Sequence, residues 1–164
     1  MLLRSTANNN TTLPVTESLI IQLILQQRYS EVYELLINQQ NTATSSKYNL
    51  ALCLHWGGNY MEALGKLDSI QLVSGVSNGN QFNGDANYKL IISKQIQTND
   101  YLQGMSEAYV KNFPASIQDA IIRLKTDCWL QLGNYVKVIA IATPIAHKGY
   151  KNITDALKLA ETAK

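Results

Sequence analysis

Gly57-Gly58-Asn59-Tyr60-Met61-Glu62-Ala63-Leu64 decides the reading of the fold, because its tripeptide Gly-Asn-Tyr returns as Gly133-Asn134-Tyr135 in the run from Leu132 to Val138. Gly and Asn favour turns, and each copy is followed by apolar residues at helical spacing. A turn that opens a helix twice in one chain points to a repeated helix junction. Tyr29 and Tyr101 stand at comparable junctions, so the four tyrosines are 31, 41 and 34 residues apart.

Outward from these turns, apolar residues recur three or four positions apart, as in Leu19, Leu23, Tyr33, Leu36, Leu50, Leu54, Leu64 and Leu67. Strict alternation is nowhere sustained, so the chain reads as all-helical. The breakers predict helices near residues 15–27, 29–40, 43–57, 60–72, 86–98, 101–112, 115–132, 135–147 and 153–163. None of the three prolines falls in the middle of the first two helical hairpins. Residues 1–13 are polar and aperiodic and read as a disordered linker, leaving 14–164 as one domain. The Asn-Gly-rich stretch 73–84 is the one long loop expected.

With 164 residues, 46% of them hydrophobic, the chain can bury one proper core. The formal net charge is only +2 and the Lys and Arg residues are scattered, which argues against a nucleic-acid surface. Ser18–Leu25, the longest apolar run, is too short to span a bilayer, and no signal peptide follows Met1. Direct membrane insertion is therefore not expected, and a cytoplasmic location is, although a signal already removed would leave the same sequence. Cys53 and Cys128 lie far apart and read as free buried thiols. No phosphate loop, nucleophile motif or metal-ligand spacing occurs, so the expectation is no catalytic residue, no metal and no cofactor.

The second repeat carries a family resemblance. Relative to Tyr60 it has Leu50 and Ala51 ten and nine residues before, Gly58 two before, Ala63 three after and Leu67 seven after. In these positions the chain resembles the tetratricopeptide repeat (TPR) family, whose period is about 34 residues. The third repeat offers Tyr88, Asp100-Tyr101, Gly104, Ala108 and Phe113-Pro114, and the fourth offers Trp129, Gly133, Tyr135 and Ala142. The first offers Leu19, Leu23, Tyr29, Val32 and Leu36, without a glycine at its turn. The resemblance spans about residues 15–148. It implies a right-handed α-solenoid of about four antiparallel helix hairpins, near 15–40, 43–72, 86–112 and 115–147. A capping helix over 153–163 would be capped at its start by Thr154 and turn Ala156, Leu157 and Ala160 inward.

In that family the first helix of each repeat lines a concave groove. The resemblance places Tyr48, Leu52, His55, Trp56, Lys89, Ser93, Arg123 and Asp127 there as candidate partner-binding residues. The family's carboxylate clamp for acidic chain ends does not match, since Glu17 and Ile21 stand where its first Lys and Asn belong. The expected function is a non-enzymatic module that binds a protein or peptide partner. The alternatives are an assembly subunit docking through its end repeats, and a regulatory domain cut from a longer enzyme or secretion-system protein. The sequence leaves the oligomeric state open.

Overall fold

The computed structural model describes residues 12–39, 43–72 and 84–163, with side chains from Glu17 onward. The expected linker at 1–13 and loop at 73–84 therefore lie outside the described residues, apart from Thr12, Leu13 and Gly84. The helices in order are α1 (Thr12–Leu25), α2 (Tyr29–Ile37), α3 (Thr44–Trp56), α4 (Tyr60–Asp68), α5 (Ala86–Gln95), α6 (Glu107–Asn112), α7 (Pro114–Gln131), α8 (Tyr135–Ala142) and α9 (Lys151–Thr162). Two 3₁₀ turns, Asp100–Leu102 and Thr143–Lys148, complete the set. Among the described residues there is no strand.

Both Gly-Asn-Tyr copies make the same junction. Gly58 and Gly133 take φ of 81° and 69°, the left-handed region that closes a helix, and an ideal Cβ at either would meet nothing within 4 Å. The next amide reaches back five residues, Asn59 N to Leu54 O and Asn134 N to Trp129 O, at 2.9 and 3.0 Å. Each Asn then caps the following helix, accepting from Glu62 N at 3.3 Å and from Lys137 N at 3.1 Å. The first turn copies this geometry with other residues. Gln27 is left-handed at φ 59°, Arg28 N donates to Leu23 O at 2.8 Å, and Arg28 offers no side-chain cap to α2.

Helix α3 is the centre of the core. It packs against α2, α4 and α6, while α4 reaches across to α7, and α7 supports α8 and α9. Tyr48, Ala51, Ala63, Leu67, Ile117 and Leu124 are essentially withdrawn from water. The alanines let α3 and α4 approach closely, and the larger side chains fill the space to α7. Burying each Leu or Ile contributes about 1.5–3 kcal/mol.

The expected helix over 101–112 is not formed as one element. Tyr101 lies in the Asp100–Leu102 turn, residues 103–106 run without helical structure, and α6 begins only after its cap at Ser106. The reason lies in α3. Asn49 accepts from Met105 N at 2.9 Å and donates to Met105 O at 3.0 Å, satisfying the amide and carbonyl of a buried residue that a helix would have satisfied internally. Gly104 also brings the connector close to α1, where a Cβ would lie 2.9 Å from Ile24 Cδ1 and 3.5 Å from the Ile21 Cα.

Two further expectations shift at the C-terminal end. The helix expected over 135–147 ends at Ala142, because Pro144 brings no amide proton, and continues as a 3₁₀ turn closed by Gly149 at φ 73°. The last helix starts at Lys151, so Thr154 sits in its first turn, donating its amide to Tyr150 O, and does not cap it. Ala156 and Ala160 are buried as expected, and Leu157 is half-buried.

Candidate functional site

Asp119, Arg123 and Asp127 stand one turn apart on α7 and so share one face. Around them the described residues assemble a dense polar network. Arg123 is 2% exposed, and its guanidinium donates to Asp100 Oδ1 at 2.6 Å, Thr98 O at 2.7 Å and Asn152 Oδ1 at 2.8 Å. Its Cζ lies over two rings, 4.2 Å from the centroid of Tyr101 and 4.4 Å from that of Tyr150. Each such ring contact is worth about 0.5–2 kcal/mol, more when desolvated.

The two aspartates anchor the same rings. Tyr150 donates to Asp119 Oδ2 at 2.8 Å, and Lys148 Nζ lies 2.8 Å from both Asp119 oxygens. Tyr101 donates to Asp127 Oδ2, and Asn152 Nδ2 donates to Asp127 Oδ1 at 3.2 Å. Tyr48 closes the network from beneath by donating to the carbonyl of Tyr101. Among the described residues no buried side-chain N or O lacks a partner. A network satisfied in this way is rigid, and it holds the Asp100–Leu102 turn, α7 and the start of α9 in one arrangement.

Above it opens a cleft of about 330 Å³. Asp119, Arg123 and Tyr150 line it from below, while Ile92, Met105 and Tyr109 line its sides from α5, the connector and α6, interleaved with Gln95, Gln103 and Ser116. Tyr109 packs on Phe113, ring centroids 5.3 Å apart, and Phe113 is 55% exposed. The floor's charges are already paired, Arg123 with Asp100 and Asp119 with Lys148, so the cleft can offer a guest shape, apolar contact and hydrogen bonds from its rim.

Burial sets the titration of this region. Burial holds the Asp127 carboxyl above the usual aspartate range despite the hydrogen bonds it accepts from Tyr101 and Asn152. Burial also raises the hydroxyls of Tyr48, Tyr101 and Tyr150, which stay protonated and donate. His55 is lowered by burial, partly countered by the nearby charge of Asp127. Cys53 and Cys128 are free and buried, and burial pushes both thiols up to about 12.

The eight groove candidates fall in three places. Tyr48, Leu52 and Arg123 are buried inside the protein, with Asp127 half-buried beside Arg123. A side chain 0–2% exposed offers no surface to a partner in this conformation, and the polar three instead tie α3, α7 and the third unit together. His55 and Trp56 lie at the end of α3, His55 edge-on to Tyr60 and Trp56 stacked on Tyr29 at 5.0 Å. Lys89 and Ser93 are exposed on α5. Only Arg123 of the eight lines the cleft.

The residues that complete the network were not singled out from sequence. Asp119 had a local signal, one turn before Arg123 on the same face. Asp100 was read only as part of the third repeat's turn, and nothing local linked it, Tyr150 or Asn152 to α7, because they reach that helix from 23 to 31 residues away. Among the described residues no group of three or more His, Cys, Asp or Glu is placed to hold a metal ion. No helix of the described residues is long and apolar enough to cross a membrane. Comparison of the chain with protein-family models, curated proteins and solved structures finds no match in any of the three.

Proposed function

We propose that this chain is a non-enzymatic helical-repeat module of the tetratricopeptide type that binds a protein or peptide partner. The repeat reading is supported by three junctions of one geometry, at Gln27-Arg28, Gly58-Asn59 and Gly133-Asn134. The binding reading moves from the groove implied by the family to the cleft between α5, α6 and α7. One observation carries it: a cleft of about 330 Å³, its sides lined by Ile92, Ile96, Met105 and Tyr109 among polar residues, stands over a fully bonded polar floor, beside the exposed ring of Phe113. A rigid site of this kind loses little entropy on binding, and its volume suits one large apolar side chain with a turn of peptide around it.

The test is selection of peptides from a displayed library, followed by mapping of amide shift changes on the labelled chain. The selected peptides are expected to carry a bulky apolar anchor and to perturb Ile92, Met105, Tyr109 and Ser116. Ile92→Glu is expected to weaken them at least tenfold, as loss of a buried anchor contact does. Peptides that perturb only the end of α3, or bind Ile92→Glu equally well, would reject the cleft. A second reading, an assembly subunit docking through its first hairpin, draws on the exposure of Leu19, Leu25 and Ile37.

A further inference from the structure

Helix α5 differs from the other α-helices among the described residues in having no buried residue. Its first part, Ala86 to Ile91, is exposed all the way round the helix, and only Ile92 and Ile96 are half-buried. The hydrogen bonds that join it to the core network and to α9 come from its other end. Lys151 N donates to Ile96 O at 3.0 Å, Arg123 Nη2 to Thr98 O at 2.7 Å, and Gln95 Nε2 to Asp100 Oδ2 at 2.9 Å. A short helix draws its stability from a packed face, and a segment without one belongs to the low end of local stability, where the moving parts of binding sites are found.

We infer, on the reading that the cleft is the binding site, that α5 is its hinged wall, pivoting on its last turn and swinging in over a bound guest. The pivot is Gln95 to Thr98, tied to Asp100, Arg123 and Lys151. The moving part is Ala86 to Ile91, about 9 Å of helix. Tyr88 stands one turn before Ile92 and extends the apolar row of Ile92 and Ile96 beyond the lining of the cleft. Tyr88 is 42% exposed, and across the cleft Tyr109 and Phe113 are 38% and 55% exposed. Inward rotation brings these side chains onto a guest seated between them, and the apolar area withdrawn from water favours the closed wall. An empty cleft of about 330 Å³ offers the wall nothing to pack on, so without a guest it stays open. The bonded floor on α7 keeps its place while this one side moves.

Pulsed electron resonance between paired spin labels on the full chain tests the hinge. One pair, Asn87→Cys with Val136→Cys, measures α5 against α8, and a control pair, Met61→Cys with Val136→Cys, spans α4 to α8 across α7. All three positions are exposed, and the buried thiols of Cys53 and Cys128 stay unlabelled. In the free protein the α5 pair is expected to give a distance distribution at least about twice as broad as the control pair. The tightest peptide of the displayed library should narrow it to the control's width. Gln95→Ala should broaden the α5 pair further at an unchanged thermal midpoint, because it loosens the pivot and α5 adds no buried residue to the core. An α5 pair as narrow as the control before any peptide is added would overturn the hinge. So would a distribution that stays broad with a peptide that perturbs Ile92 and Met105, or one that Gln95→Ala leaves unaltered. If no displayed peptide perturbs the cleft, the binding reading fails by itself, and the widths in the free protein and in Gln95→Ala still decide the hinge.

Discussion

In hairpin α3–α4 the chain leaves α3 at Trp56, turns through left-handed Gly58 and is recaptured by Asn59, which caps α4. After α5 it meets Thr98-Asn99-Asp100, makes one 3₁₀ turn and runs non-helically to Ser106. Both regions have a tyrosine at the junction, Tyr60 and Tyr101, but only the first places a left-handed glycine two residues before it. The difference teaches that the turn, and not the tyrosine, sets the hairpin. Where the turn is lacking, the core supplies the missing hydrogen bonds from Asn49 and Arg123.

If that contrast holds, damage to the third unit should exceed damage to a glycine turn. Arg123→Ala is expected to lower unfolding free energy by about 3 kcal/mol in urea denaturation, since it removes the donor to Asp100 Oδ1, Asn152 Oδ1 and the carbonyl of Thr98. Asn49→Leu should cost about 2–3 kcal/mol by stranding both the amide and the carbonyl of buried Met105. Gly58→Ala or Gly133→Ala should each cost about 1 kcal/mol through backbone strain alone, because neither Cβ meets a neighbour. Equal losses at Gly58 and Asn49 would break the distinction.

The first turn offers a gain. Gln27→Gly relieves a left-handed non-glycine residue and should raise stability by up to about 1 kcal/mol, or roughly 2–4 °C in midpoint. A loss on this substitution would show that the Gln27 side chain contributes more than its strain costs.

The smallest expected effect is on pH dependence, where two neighbours act with opposite signs. Asp127 titrates higher folded than unfolded, so stability declines as pH rises from the ordinary aspartate range through its raised value. His55 titrates lower folded than unfolded, so stability increases as pH rises from its lowered value towards 6.5. Asp127→Asn should remove the decline and His55→Gln the increase, both read from denaturation at a series of pH values. An unchanged profile in either variant would refute the corresponding assignment.

Much of the helical architecture was legible because periodicity and turn chemistry are local signals. Gly58-Asn59 and Gly133-Asn134 carry their torsions and caps in the residues themselves, and the breaks at Gln27-Arg28 and Phe113-Pro114 fall where helices end. The interrupted third unit was not legible, because Asn49 and Met105 meet across 56 residues of chain. The candidate site suffered from the same limit. Arg123 and Asp127 were singled out only through the family resemblance, and their burial depends on Tyr101, Tyr150 and Asn152, which no local pattern connects to them.

Amide hydrogen exchange on dilute protein tests the central contrast most directly. The amide of Met105, bonded to Asn49 in a non-helical connector, is expected to exchange as slowly as those of α3. The amides of Tyr88 to Ser93 in α5, a regular helix with no buried residue, should exchange much faster. Rapid exchange at Met105 with protection throughout α5 would contradict the account, because the third unit would then be held by a packed helix and not by the clamp from α3.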